Sequence, residues 1–178
     1  RMARNAIENG NRDHWTIHQK RIDAAKAAIV ERAGGGGRGD SAPASIYTDV
    51  LHDPKMRDPR GFIIPSNQPD FLTATKFVNA LIKAGVVVHR AREPFALAGK
   101  PYPKGSYVVK SAQAFRAHVM DMFEPQHHPD DIPYPGGPPR PPYDVTGYNL
   151  AYSMGIKYDR ILEGFDGPFE KIRDVVTP

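Results

Sequence analysis

His127, His128, Asp130 and Asp131 fall within five consecutive residues, and imidazole and carboxylate are side chains that hold zinc. An independent metal-dependent hydrolase built on them would need three or four such ligands converging at about 2 Å on a backbone that aims them. The local sequence works against that. Adjacent side chains on an extended chain point to opposite sides, which separates His127 from His128, and Pro129 stiffens the step to the two aspartates. Eight prolines lie between Pro125 and Pro142, a composition that favours extended backbone with few donors. The stretch 125–142 therefore reads as a Pro-rich surface strap, with the four polar residues as candidate metal ligands in the alternative reading. His118 and Asp121 imitate a second ligand pair, but they sit inside a helical pattern and read as surface residues.

A second constellation is Ser66-Asn67-Gln68 in "IIPSNQPDF" and Ser111-Ala112-Gln113 in "VVKSAQAF". Both follow an apolar β-type run and precede a helical pattern. If the two runs are parallel strands, the triplets share the carboxyl edge of one sheet, where open α/β folds bind ligands. Ser66, Asn67, Gln68, Ser111 and Gln113 are then candidate contacts for a small ligand or peptide. The competing reading is that Ser66, Asn67 and Ser111 cap helices by accepting from free backbone N–H groups. No Gly-x-Ser-x-Gly elbow and no phosphate loop occurs in the chain.

These residues must be positioned by the elements around them. Residues 1–33 read as an N-terminal helical segment, with Trp15 as an anchor and Ile22, Ala25, Ala28 and Ile29 near one face. Residues 34–59 read as a flexible Gly-rich loop (Gly34–Ser45) followed by linker. Arg38-Gly39-Asp40 within it reads as a chance tripeptide. Residues 60–178 read as an α/β domain. "GFII" and "VVVHRA" are buried strands joined by a helix whose stripe is Phe71, Ala74, Phe77, Val78, Leu81 and Ile82, with Gly85 at its end. Strand, helix and strand in about thirty residues predict a βαβ unit. A hairpin turning at Ala98-Gly99-Lys100 follows, then the strand "SYVVK" and a helix with Phe115, Val119, Met122 and Phe123 inward. After the strap come a short helix, capped by Asp144 or Thr146 and docked through Tyr143, Leu150, Tyr152 and Met154, and a last strand in "KYDRILEGF". The fold class is α/β: a small mixed, partly parallel sheet with flanking helices.

Composition bounds the partners. The chain has 178 residues and a formal net charge of +4, with its 24 basic residues scattered among 20 acidic ones. No basic stripe interleaved with aromatics marks it for nucleic acid, no apolar run is long enough for a membrane span, and the absence of cysteine removes disulfides and thiolate sites. Arg1-Met2-Ala3-Arg4 does not read as a natural start, so the chain is expected to be cut from a longer one.

Three long phrases, "DPRGFIIPSNQPDFLTATKFVNALIKAGVVVHRA", "YPKGSYVVKSAQAFRAHVMDMFEPQ" and "PPYDVTGYNLAYSMGI", with "HWTI" around Trp15, resemble an accessory region that follows the peptidase domain in large bacterial proteins of the zinc carboxypeptidase (carboxypeptidase A-like) family. The likeness covers nearly all of the chain apart from the glycine loop. It implies a non-catalytic accessory domain that supports the peptidase domain or presents substrate. The rest of the parent chain, and peptide substrate through it, are the implied partners. It also implies export to the periplasm or beyond, and zinc in the parent's peptidase domain with no cofactor in this chain. The family's zinc-binding His-x-x-Glu has no counterpart here, since none of the seven histidines is followed three residues later by glutamate. No catalytic residue is therefore assigned. A small-ligand or peptide-binding module and an independent hydrolase are the alternatives. After incubation with zinc and desalting, the chain should retain well under one equivalent by metal analysis. Stoichiometric zinc that disappears in the His127→Ala, His128→Ala double variant would instead make the strap a metal site.

Overall fold

The computed structural model describes residues 1–32, 44–125, 131–141 and 149–177. Its helices are α1 (Met2–Gly10), α2 (Gln19–Arg32), α3 (Ala44–Leu51), α4 (Phe71–Lys83), α5 (Arg116–Phe123) and α6 (Leu150–Ser153). Its strands are β1 (Gly61–Ile64), β2 (His89–Ala91), β3 (Phe95–Leu97), β4 (Lys100–Tyr102), β5 (Tyr107–Lys110), β6 (Asp159–Ile161) and β7 (Phe169–Lys171). The chain divides into two compact units. One comprises Arg1–Asp13, Pro59–Gln126 and Thr146–Pro178, and the other His14–Asp58 and His127–Val145.

The first unit carries the sheet. Every residue of β1 is buried, as its unbroken apolar run requires when both faces are covered. Helix α4 starts where Asp70 accepts from the Thr73 amide and ends where Gly85 takes a φ of +87°, a left-handed turn that glycine enters without Cβ strain. Between these ends, Ala74, Phe77, Val78 and Leu81 turn inward onto Phe62, Ile64, Tyr107 and Val109, with Phe71 and Ile82 at the margin. Phe123 of α5 stacks on Phe62 at 4.2 Å and meets Phe77 edge-on at 5.1 Å. The opposite face of the sheet, with Ile63, Val108 and Ile161, is covered by the β3–β4 hairpin and by Phe165 and Phe169. Ala98 and Gly99 both have positive φ at the hairpin tip, the geometry of a two-residue turn matched to strand twist.

The α/β class holds, but the sheet is antiparallel throughout, in the order β6-β1-β5-β2-β7. β1 and β2 do run parallel, as the βαβ pattern requires, yet β5 is inserted between them and pairs antiparallel with both. β5 and β6 are likewise parallel and separated by β1. Each crossover is thus a split βαβ unit, and two of them interlock in a βαββαβ order of the ferredoxin-like type. β7 extends this arrangement beyond β2.

The second unit is helical. α2 and α3 pack on one another, with Ala25 and Arg21 buried. The guanidinium of Arg21 donates to the carbonyls of Thr16 and Leu51. Asp58 gathers the amide and hydroxyl of Thr16 and the ring of His14, and the Trp15 indole donates to the Asp53 carbonyl at 2.9 Å. Helix α3 occupies residues that read as linker, because "ASIYTDVL" has too few turns to show a period. The described part of the strap, 131–141, is largely exposed and closes on itself, the Arg140 amide bonding to the Asp131 carbonyl and that of Gly137 to Tyr134.

Local expectations fail in identifiable places. Phe115 is 51% exposed, with its ring against Gly85 and not in the core, and Tyr152 is 80% exposed; α6 docks through Ala151, fully buried, with Leu150 and Met154 beside it. Asn149 precedes α6 in the left-handed conformation, while Tyr143, Asp144 and Thr146 lie outside the described residues, as does the glycine loop through Pro43. Strand β7 carries no apolar run to announce it. By urea denaturation, Phe77→Ala should cost about 3–5 kcal/mol, the usual loss for a buried phenylalanine, whereas Tyr152→Ala should stay within about 0.5 kcal/mol.

Candidate functional site

The antiparallel pairing of β1 with β5 sends the two Ser-x-Gln triplets to opposite ends of the sheet, so no shared ligand edge forms from them. The triplets nevertheless do equivalent work. Continuing the β1–β6 register from Gly61↔Ile161 places Pro65 opposite Lys157. The Gln68 side chain lies between these two, donating to the carbonyls of Pro65 (2.9 Å) and Lys157 (3.2 Å) and accepting from the Lys157 amide (3.1 Å). Continuing the β5–β2 register from His89↔Val108 places Val87 opposite Lys110. Gln113 lies between those, donating to the carbonyls of Lys110 (2.7 Å) and Val87 (3.1 Å) and accepting from the Val87 amide (2.7 Å). A side-chain primary amide has the same donor and acceptor character as a peptide unit. Each glutamine thus acts as one extra rung where the strands spread apart.

The serines are not helix caps. Asp70 caps α4, and α5 is preceded by Phe115, which supplies no side-chain cap. Ser66 donates to the Lys104 carbonyl and its amide bonds to the Ser106 hydroxyl. Ser111 is fully buried, and its hydroxyl has no hydrogen-bond partner among the described residues. Above it, Gly10 at the end of α1 presses directly on the Ser111–Ala112 backbone, where a Cβ would come within 2.4 Å of the Ser111 carbonyl oxygen. The second triplet is therefore covered by the chain itself.

The first triplet is open. Asn67 and Gln68 line a hollow of about 280 Å³ with Lys100, Lys157 and Asp159. Lys100 and Asp159 close an ion pair at 2.8 Å across it. Burial, and then the neighbouring Asp159 carboxylate, push the Tyr102 hydroxyl up to about 12, so it stays protonated as a donor. On the other half of the sheet, burial and then the charge of Lys110 hold His89 below its ordinary range. The folded state therefore favours the neutral ring, and stability is lost as pH falls below the unfolded value near 6.5.

Of the four strap residues, Asp131 is exposed, and His127, His128 and Asp130 lie outside the described residues. Among the described residues no group of three His, Asp or Glu is placed to hold a metal ion, and no helix is long and apolar enough to cross a membrane. His118 and Asp121 stay on α5, where the Asp121 carbonyl accepts from the Asn149 amide.

No family model, curated protein or solved structure matches the chain. The roles of the two glutamines yield a mutational order. Gln113→Ala strands buried backbone groups that cost about 1–3 kcal/mol each when unpaired, so it should destabilise more than Gln68→Ala. Asn67→Ala, which removes neither rung, should cost least. Chemical denaturation of the three variants checks the order.

Proposed function

We propose that this chain is a non-catalytic accessory domain of a zinc-carboxypeptidase-like metallopeptidase, exported with its parent, where it supports the peptidase domain or presents substrate. The observation that carries this reading is the resemblance of its long phrases to the region that follows such peptidase domains. The chemistry of those phrases agrees with a supporting part. Their polar residues, Ser66, Gln68 and Gln113, are engaged with backbone, which suits a scaffold better than a reaction centre. Zinc belongs to the parent's peptidase domain in this reading, and the partners are that domain and its peptide substrate.

A peptide-binding module remains the second reading, favoured by the open hollow beside Asn67 and Gln68. The test is direct. The 178-residue chain, supplied with zinc, should release no C-terminal residues from peptides, whereas the full reading frame that contains it should release them. Removing the chain from that frame should lower the parent's melting temperature or its turnover. Peptide hydrolysis by the chain alone, or a parent without peptidase activity, contradicts the proposal.

A further inference from the structure

Arg90 and Arg160 occupy equivalent places in the two split βαβ units. Each is the central residue of its strand, β2 or β6, and each lies across from the first aromatic of the neighbouring strand, Tyr107 or Phe62. Their fates differ. Arg160 is held by a carboxylate of its own unit, its Nε lying 2.9 Å from both oxygens of Glu124. Arg90 has no carboxylate within ion-pair distance among the described residues. It is held instead by the Tyr107 hydroxyl, which Nη2 approaches to 3.2 Å, with the guanidinium 5.4 Å from the centre of the Tyr107 ring.

That hydroxyl is part of a relay whose direction the Phe71 carbonyl fixes. A carbonyl only accepts, so the single proton of the Thr75 hydroxyl goes to Phe71 at 3.0 Å. Thr75 Oγ1 then accepts from the Tyr107 hydroxyl at 3.0 Å, whose oxygen accepts from Arg90. Tyr107 and Thr75 are both buried, so an exposed arginine is anchored by an interior hydrogen-bond chain. The anchor uses one of the five N–H donors of the guanidinium.

Arg90 lines a cavity of about 560 Å³, within the range of small-molecule sites. Phe71, whose ring stacks on Tyr107 at 5.1 Å, forms an apolar wall, and Lys104 adds a second cation without a carboxylate partner among the described residues. Glu93 and Glu170 also line the cavity, the latter 3.9 Å from Arg92. Their charges oppose a multiply charged anion. A singly charged planar group with two acceptor oxygens matches the free fork of a guanidinium.

We propose that this cavity binds a monocarboxylate with an aromatic or branched apolar body, its carboxylate on Arg90 and Lys104 and its body against Phe71. The external carboxylate supplies to Arg90 what Glu124 supplies to Arg160. Such a site needs nothing from a parent peptidase, so its test is separate from the one above. Free acids and peptide C-termini present the same group. Isothermal titration of the 178-residue chain should show saturable binding of N-acetyl-phenylalanine. Binding of its amide and of inorganic phosphate should be at least about tenfold weaker, the size expected for losing a charged hydrogen bond. Arg90→Gln should weaken binding of the acid by about the same factor with an unchanged thermal melt. Should that variant prove unstable, Lys104→Gln gives the same readout from an exposed residue. Tyr107→Phe, which removes the anchor of Arg90 together with the hydrogen bond to Thr75, should weaken the acid several-fold. A decapeptide ending in a free phenylalanine, beside its amidated form, assigns the source: a peptide terminus if it matches the small acid, a free acid if it does not bind. Equal binding of acid and amide, phosphate as tight as the acid, no saturable binding, or Arg90→Gln indistinguishable from the parent would each overturn the proposal.

Discussion

Strands of three and four residues form few ladder hydrogen bonds, and the central strands of this sheet must also part at their ends to feed the helices. Two glutamine side chains work against that parting. Gln68 bridges Pro65 and Lys157, and Gln113 bridges Val87 and Lys110, each two register positions beyond the last ladder pair of its two strands. The first case shows why a side chain is needed. Proline has no N–H, so Pro65 cannot donate to the chain opposite, and the Gln68 amide donates to the Lys157 carbonyl in its place. In the second, the rung is buried, where unpaired backbone groups are most costly.

The two rungs are related by the fold. β1, α4 and β2 form one split crossover, and β5, α5, α6 and β6 form the other, so Gln68 and Gln113 sit at corresponding points. The helix ends correspond as well. Gly85 after α4 and Gly155 after α6 both take positive φ, and Val86 and Ile156 each donate five residues back, to Leu81 and Ala151. Against this near-equivalence the differences carry the information. Gly10 of α1 seals the second triplet, whereas the first faces a hollow. Arg160 has an internal carboxylate, whereas Arg90 faces a cavity. Where the two units depart from one another, one of them is left with unused binding capacity.

Much of the fold was legible in the sequence because it is written in strong periods. The four-residue run of β1, the stripe of α4 and the Ala98-Gly99 turn each state their conformation through burial or φ. Strand order was not legible, since a split βαβ unit and a contiguous one share one local pattern, and only the position of β5 separates them. α3 and β7 are too short or too polar to show a period. Both Ser-x-Gln triplets stood out as a repeated motif, but their function as rungs depends on register, which the residues alone do not encode. The companion repeat, "AGVVVHRA" against "MGIKYDRI", shares only its glycine and arginine and becomes recognisable once β2 and β6 are seen to correspond. Arg90 gave no signal at all, because its significance lies in what Arg160 has and it lacks.

The two side-chain rungs are tested most directly by native-state hydrogen exchange at the amides of Val87 and Lys157. Neither belongs to a strand ladder, and among the described residues each donates only to a glutamine side chain. The account predicts that both are protected, with Val87 approaching the core strands because its rung is buried, and that each loses protection when its own glutamine becomes alanine. Exchange at the rate of exposed loop amides in the unaltered chain would contradict it.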